Sequence, residues 1–492
     1  MSAAIDTPFG LFIGGQEIPA SDGQRVTLLN PATNKPLAVT SVGGVADARH
    51  ALEVAERAFR ESSWAGGDGA PRTKTLFRLA RLLEEQAAVF AELETLNMGK
   101  PLRESKGDID FVVRTLEYMA GLADKIEGET IPIPGARFDY TVREPLGVTV
   151  HIAPWNYPLL LAVRSMAPAL AAGNAVVLKP ASLTPLTALR FARLAHEAGV
   201  PDGILNVVVG NGREVGEALV TDARAASVSF TGSSDVGRRI AELAAPRLIP
   251  TVLELGGKSP VVVFPDADLE RAARAIATGI FQNSGQMCWA GSRLVVEAGV
   301  EAPLLEKLTA VAHGLKLGAG VEPGVTMGPL VSKDQMERVL GFVTEAREGG
   351  ARIFLGGGRP SSPELQEGNF VEPTVVTEVD PEARMVREEI FGPVLAVQRF
   401  GNAEEALRLA NQTRYGLFAS IWTRDLATAH GVARQLEAGI VTINEPPMTF
   451  PQTPFGGYKE SGVGFEQGRD APLVYTRRKN VIVNLGAGKA KK

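Results

Sequence analysis

Val148-Thr149-Val150-His151-Ile152 opens the stretch whose reading decides the fold. It is a short, β-branched run, and it ends in the proline-bounded loop Pro154-Trp155-Asn156-Tyr157-Pro158. Further apolar runs follow at 175–178, 204–209, 227–230, 251–255 and 260–264, with helical patterns at 184–198 and Ser234–Ala244 between some of them. Strands alternating with helices predict a parallel sheet with helices packed on its faces. A second series, Arg293–Glu297, 393–397, 419–422 and Ile440–Ile443, lies further along. Two α/β units fit the pattern better than one large sheet.

Working outward, Asp47 opens a helical pattern with Ala48, Leu52, Ala55 and Phe59 on one face. Residues 72–97 read as one long helix ending near Gly99 and Pro101, and 108–123 as another. The segment 126–146 fits neither unit. It holds Ile131, Pro132, Ile133, Pro134 and Gly135, then an alternating run from Phe138 to Val142. It reads as a β-hairpin arm free to pair with another subunit, with 480–484 as a candidate partner strand. No internal repeat is visible.

Of 492 residues, 45% are hydrophobic and 22% charged, which are ordinary globular values that exclude a disordered chain. Lys and Arg number 51 against 56 Asp and Glu, a net charge of −5, so no basic surplus points to nucleic acid or an anionic membrane. The single cysteine excludes an intrachain disulfide framework and cysteine-based zinc sites; five scattered histidines leave no metal site in view. The first basic residue is Arg25, so no charged region precedes an apolar stretch as in a signal peptide. The longest stretch free of charge, 145–163, is broken by Pro145, Pro154 and Pro158 and is not a membrane span. These readings together predict a soluble, cytoplasmic protein.

Five segments carry candidate chemistry, and each has a plain structural alternative. Cys288 sits in the polar run Gln282-Asn283-Ser284-Gly285-Gln286-Met287-Cys288-Trp289, outside any apolar run; it is a nucleophile or a small buried side chain. Glu254 ends a hydrophobic strand at Gly256-Gly257, where α/β folds place their sites. A carboxylate in apolar surroundings can act as a base near neutrality; an edge glutamate facing water is the alternative. Asn156, fixed between two prolines, is an oxyanion donor or a turn residue. Phe230-Thr231-Gly232-Ser233-Ser234-Asp235-Val236-Gly237 joins a strand to a helix and offers a phosphate site or an ordinary cap. Lys179, ending another strand before Pro180-Ala181-Ser182, reaches a ribose or phosphate, or merely water.

Taken together these segments resemble the aldehyde dehydrogenase superfamily, over nearly the whole chain. Glu388-Glu389-Ile390-Phe391-Gly392-Pro393 and Pro454-Phe455-Gly456-Gly457-Tyr458-Lys459-Glu460-Ser461-Gly462 complete the ordered set. The resemblance implies a Rossmann-like nucleotide-binding domain over 1–125 and 147–255, an α/β catalytic thiol domain over 256–451, and an oligomerisation arm over 126–146 and 475–488. It implies an NAD(P)+-dependent, non-acylating enzyme working through a cysteine thiohemiacetal and thioester. Cys288 would be the nucleophile, Asn156 with the Cys288 backbone N–H the oxyanion donors, and Glu254 the activator of water. The cofactor contacts would come from Pro154, Trp155, Lys179, Ser182, Gly212, Thr231, Gly232, Ser233, Gly237, Glu389 and Phe391. Tyr157, Leu161, Arg164, Trp289 and Phe450, with Trp155 and Pro447 near them, would serve an aldehyde tunnel. The arm would build a homodimer or homotetramer, and no metal is implied.

The departures from the family pattern carry expectations of their own. Ser182 stands where many NAD-using members have Glu, so nothing repels a 2′-phosphate and NADP becomes admissible beside NAD. Arg164 and Ser165 stand where many have Trp and Lys, and Arg469 where many have Glu. Both members of a lysine–glutamate pair near the tunnel are therefore expected to be missing, and no relay through that pair is expected. Arg164 also resembles the arginine of aromatic-aldehyde members, although the regions of Cys288 and Gly456 do not match those closely. A catalytically silent relative would lack Cys288, Glu254 or Asn156, and all three are present. A thiol hydrolase would need a histidine, and none lies in the matched motifs. A CoA-acylating enzyme often lacks the water-activating Glu. The aldehyde itself is not legible.

Overall fold

The computed structural model describes residues 9–486. The first series of apolar runs builds one sheet. Its parallel strands lie in the order Leu205–Val207, Ala175–Lys179, Val148–Ile152, Ala225–Thr231 and Thr251–Glu254. Antiparallel strands flank them: Leu11–Ile13 and Gln16–Ile18 on one edge, Gly462–Val463 on the other. Valine and alanine dominate the central strands because helices cover both faces; Val150, Val176 and Val177 are wholly buried. From Val148–Ile152 the chain builds outward to one side, then crosses to the other at Ala225–Thr231. The order reverses between these two strands, and the crevice beyond their carboxyl ends is where such sheets bind ligands.

The second series forms a second sheet, ordered Arg352–Leu355, Thr374–Thr377, Val394–Phe400, Arg293–Glu297, Pro260–Val263, Phe418–Trp422 and Ile440–Ile443. All are parallel except the edge strand Arg352–Leu355. The chain passes from one sheet to the other through 255–259, directly after Glu254. The fold is α/β with two largely parallel sheets, as the alternation predicted.

Two local expectations need correction. The long helix expected over 72–97 is two, Ala70–Glu85 and Ala87–Met98, divided at Gln86. No proline or glycine marks that break; Gly99, with φ of 102°, ends the second helix. The arm is not a simple local hairpin. Its strand Arg137–Pro145 pairs along its whole length with the C-terminal strand Thr476–Asn484, which contains the expected partner run 480–484, while the preceding segment adds one bridge, Thr130 to Tyr140. Pro132 and Pro134 lack the N–H groups a continuous second strand needs, which explains the substitution of a distant strand for a local one. The ends of the expected divisions, 1–8 and 487–488, lie outside the described residues. Among the described residues no helix is long and apolar enough to cross a membrane; the uncharged stretch 145–163 is divided between a strand, a loop and the start of helix Pro158–Ala171.

Candidate active site

Cys288 follows the helix Leu269–Phe281 and a distorted turn, Gln282–Gly285. Asn283 and Ser284 hold φ of 47° and 52°, the left-handed region that costs a residue with a Cβ roughly 1–2 kcal/mol. Gly285 follows at φ 73°, and a Cβ there would lie 2.1 Å from the carbonyl oxygen of Gly392, so only glycine fits. The turn is pinned from several sides. Ser284 donates to Gly328 O at 2.7 Å, Val331 N–H donates to Gln286 Oε1 at 2.9 Å, and Asn283 Nδ2 donates to Asn156 O at 2.9 Å.

Asn156 is buried, and its Nδ2 donates to Gln286 O at 2.9 Å, two residues before the cysteine. A primary amide has two N–H donors. One is committed to orienting the side chain on the cysteine loop, and the second is left for another acceptor.

Glu254 ends its strand, and both its oxygens are buried without a hydrogen-bond partner among the described residues. Burial drives its pKa well above the usual carboxylate range; Arg164 opposes that shift and Glu466 adds to it. The double glycine after it serves close packing. A Cβ on Gly257 would lie 2.1 Å from Cys288 O, and one on Gly256 would lie 2.6 Å from Glu389 Oε2. The Gly256–Gly257 link after the Glu254 strand thus abuts both the cysteine and Glu389. The Cys288 thiol is pushed up to about 12 by burial; Arg164 pulls it down, while Glu389 and Glu254 push it further up.

Cys288 opens onto a cavity of about 670 Å³, lined also by Tyr157, Leu161, Arg164 and Trp289. The wall continues through Met287, Phe455, Pro447 and Met448, and no histidine among the described residues lines it. Two aromatic expectations shift. Phe450 is 45% exposed and is not part of this wall: Phe450 and Thr453 close a tight turn, and the cavity-facing residues of that loop are Pro447, Met448 and Thr449. Trp155 packs edge-on against Phe391, ring centroids 5.1 Å apart, outside the cavity.

Positions 165 and 469 carry Ser165 and Arg469, so the lysine–glutamate pair is missing, but a different charge pair stands at the tunnel. Arg164 is the one charged residue of helix Pro158–Ala171, and its Nε donates to Glu466 Oε2 at 2.6 Å. Ser229 donates to the other Glu466 oxygen at 2.9 Å, and the guanidinium stacks 4.2 Å from the centre of Phe455. The cation comes from position 164 in place of 165, and the carboxylate from Glu466, not from position 469. Glu466 was missed because the pairing of Gly462–Val463 with Leu253–Glu254 brings it here from far along the chain. A lone arginine in an otherwise apolar helix was the available signal, since a buried guanidinium demands a carboxylate.

The remaining candidates gather at the crevice beyond the first sheet. Lys179 is buried, its ammonium 3.4 Å from Pro180 O, and burial lowers its pKa to about 8. Ser182 donates to Gly210 O at 2.8 Å, near Gly212 at the start of the turn Gly212–Gly216. Ser233 caps helix Ser234–Ala244 by accepting from Val236 N–H, directly after Thr231 and Gly232. Gly237 lets that helix lie on Leu255: a Cβ there would meet Leu255 Cδ2 at 2.4 Å. Glu389 accepts from Gly257 N–H at 3.0 Å, and burial raises its pKa to about 7.

Residues 18–481 match the model of the aldehyde dehydrogenase family. The chain belongs to the aldehyde dehydrogenase family. Like other aldehyde dehydrogenases it is an oxidoreductase acting on aldehydes. It is 43% identical to betaine aldehyde dehydrogenase of Bacillus subtilis (strain 168), over 96% of this chain and 97% of that one. It is 41% identical to hydroxyisobutyraldehyde dehydrogenase of Mycolicibacterium austroafricanum, over 99% and 95%. Among solved structures, betaine aldehyde dehydrogenase from Staphylococcus aureus in complex with NAD+ superposes with a TM-score of 0.95 at 37% identity, covering 98% of this chain and 95% of that one. PnpE from Pseudomonas sp. WBC-3 superposes at 0.96 with 40% identity, over 98% and 99%. Within this aldehyde dehydrogenase framework, the Arg164–Glu466 pair is the local feature that the sequence pattern least anticipates.

Proposed function

We propose that this chain oxidises an aldehyde to the carboxylic acid through a covalent intermediate on Cys288, with NAD+ or NADP+ as hydride acceptor. One observation carries the reading: Cys288 opens onto a cavity while Asn156 is hydrogen-bonded to its loop and Gly257, in the link after the Glu254 strand, packs against its carbonyl.

The residues present fit a dinucleotide. The absence of a Cβ at Gly256 lets the Glu389 carboxylate lie against the backbone that follows the Glu254 strand, and the buried Lys179 ammonium has a carbonyl, Pro180 O, as its hydrogen-bond partner. Lys179 and Ser182 would hold the adenosine ribose, and Ser233, with Thr231 and Gly232, the pyrophosphate at a helix N-terminus. Glu389 would hold the nicotinamide ribose, with Phe391 packed near it; Pro154, Trp155, Gly212 and Gly237 complete the contacts. When bound, the nicotinamide supplies the hydride acceptor.

The chain's own residues do the rest. The Cys288 thiol gives up its proton to water, its sulfur bonds to the aldehyde carbon, and the carbonyl electron pair moves onto oxygen. The second Asn156 N–H and the Cys288 backbone N–H would receive that oxyanion. Loss of hydride leaves a thioester on sulfur. Glu254, once ionised, takes a proton from water; the water oxygen bonds to the acyl carbon, the C–S bond breaks, and carboxylic acid and thiolate result, the acid then losing its remaining proton to solvent. Burial pushes the Cys288 thiol up, and Arg164 opposes that shift by favouring the thiolate.

We further propose that 1–125 with 147–255 act as the nucleotide-binding domain and 256–451 as the thiol domain. The ribbon of Arg137–Pro145 and Thr476–Asn484 would join a homodimer or homotetramer; Phe138 and Ile482 on it are exposed. We place the enzyme in the cytoplasm. The test is Cys288→Ala: oxidation is lost while nucleotide binding, measured by calorimetry, stays within about threefold. Substantial turnover in this variant overturns the assignment, because no second cysteine can replace the first.

A further inference from the structure

Glu104 stands in the first turn of helix Leu102–Ala120, far from Cys288 in sequence, yet both line the same cavity. Its side chain is almost wholly buried, and Oε2 accepts the backbone N–H of Asn283 at 2.9 Å. Asn283 is the first of the two consecutive residues in left-handed conformation. Its side chain donates to Asn156 O and to Gln286 O, and the Asn156 amide donates to that same Gln286 oxygen. A strained turn of this kind persists only where its surroundings hold it. Gly328 and Val331 hold Ser284 and Gln286, but Glu104 is the group on the Asn283 amide itself. The carboxylate thereby links a helix to the turn that joins the oxyanion amide to the nucleophile.

We propose that Glu104 is a positioning residue for the nucleophile: by accepting the Asn283 amide it holds the Asn283–Ser284 turn and so sets the Cys288 thiol against the Asn156 amide. This rests on the reading of Cys288 as nucleophile. What Glu104 contributes is an acceptor oxygen at a fixed place, which glutamine also offers through its amide oxygen and alanine does not. Loss of the acceptor leaves a buried N–H unpaired and frees the turn to relax.

The test compares Glu104→Ala and Glu104→Gln with the wild type. Three quantities are read: the single-turnover acylation rate with a simple aliphatic aldehyde, the rate of Cys288 alkylation by iodoacetamide, and the dissociation constant for NAD+. Glu104→Ala lowers acylation and alkylation tenfold or more and leaves the NAD+ constant within about twofold. Glu104→Gln retains both rates within about threefold. If Glu104→Ala does not fold, Glu104→Met, which fills the space without an acceptor, replaces it. Acylation in the alanine or methionine variant within twofold of the wild type overturns the proposal, as does a glutamine variant as impaired as alanine. The underlying reading fails separately: if Cys288 is not the nucleophile, alkylated wild-type enzyme keeps its turnover before any Glu104 variant is made.

Discussion

Arg164 donates to Glu466 at 2.6 Å across the wall of the cysteine cavity, and both side chains are withdrawn from solvent, at 3% and 1% exposure. The guanidinium opposes the rise in pKa that burial imposes on both Cys288 and Glu254, while Glu466 adds to the rise at Glu254. Arginine remains charged at every working pH, so it biases its neighbours without passing a proton.

Arg164→Met strands the Glu466 carboxylate in the interior. Removing one partner of a buried pair typically costs about 3–5 kcal/mol, and the denaturant midpoint should fall accordingly. Arg164→Met with Glu466→Gln should recover most of that loss. The thiol should also become harder to ionise, moving the pH–rate curve for Cys288 alkylation upward. A single variant as stable as the wild type, with an unmoved alkylation curve, would show that the pair neither braces the cavity wall nor biases the thiol.

Asn156→Ala removes the proposed oxyanion donor and the bond to Gln286 together. One such donor is worth on the order of 3 kcal/mol, or a hundredfold or more in rate. Single-turnover acylation should fall by at least that factor with nucleotide binding little changed. A drop under threefold would make Asn156 a turn residue only.

The legible part of this site lies at the carboxyl ends of strands. Asn156 after Val148–Ile152, Glu254 at the end of Thr251–Glu254 and Ser233 after Ala225–Thr231 follow from local patterns, because a parallel sheet places those ends in one crevice. Glu466 and Glu104 were not legible. Their partners are distant in sequence, and their burial depends on an antiparallel return strand and on helix packing that no local periodicity encodes. The division of the helix at Gln86 was not legible either, since no proline or glycine marks it, whereas the arm's partner strand was: the run 480–484 pairs with Arg137–Thr141.

Cofactor choice is expected to turn on position 182. Ser182 brings no carboxylate to the proposed ribose site, and Lys179 adds positive charge nearby. Activity is therefore expected with both NAD+ and NADP+. Ser182→Glu should reduce kcat/KM for NADP+ far more than for NAD+, since like charges a few ångströms apart in a partly screened cleft cost roughly 1–4 kcal/mol. Specificity constants at low and moderate salt provide the check. An equal fall for both nucleotides would move position 182 away from the ribose.

The covalent route is tested most directly by trapping its intermediate in Glu254→Gln. The amide cannot take a proton from water, so one equivalent of reduced cofactor should appear in a burst, followed by slow turnover. In the wild type, hydrolysis should accelerate with rising pH as the buried Glu254 ionises; in the variant that dependence should vanish. If Glu254 also draws the proton from the thiol, the burst will be slower but still stoichiometric. Intact-protein mass spectrometry of the quenched variant, after mixing with aldehyde and NAD+, should show the added mass of one acyl group, localised by peptide mapping to Cys288. Continued turnover without an adduct, or an acyl group on any other residue, would contradict covalent catalysis by Cys288.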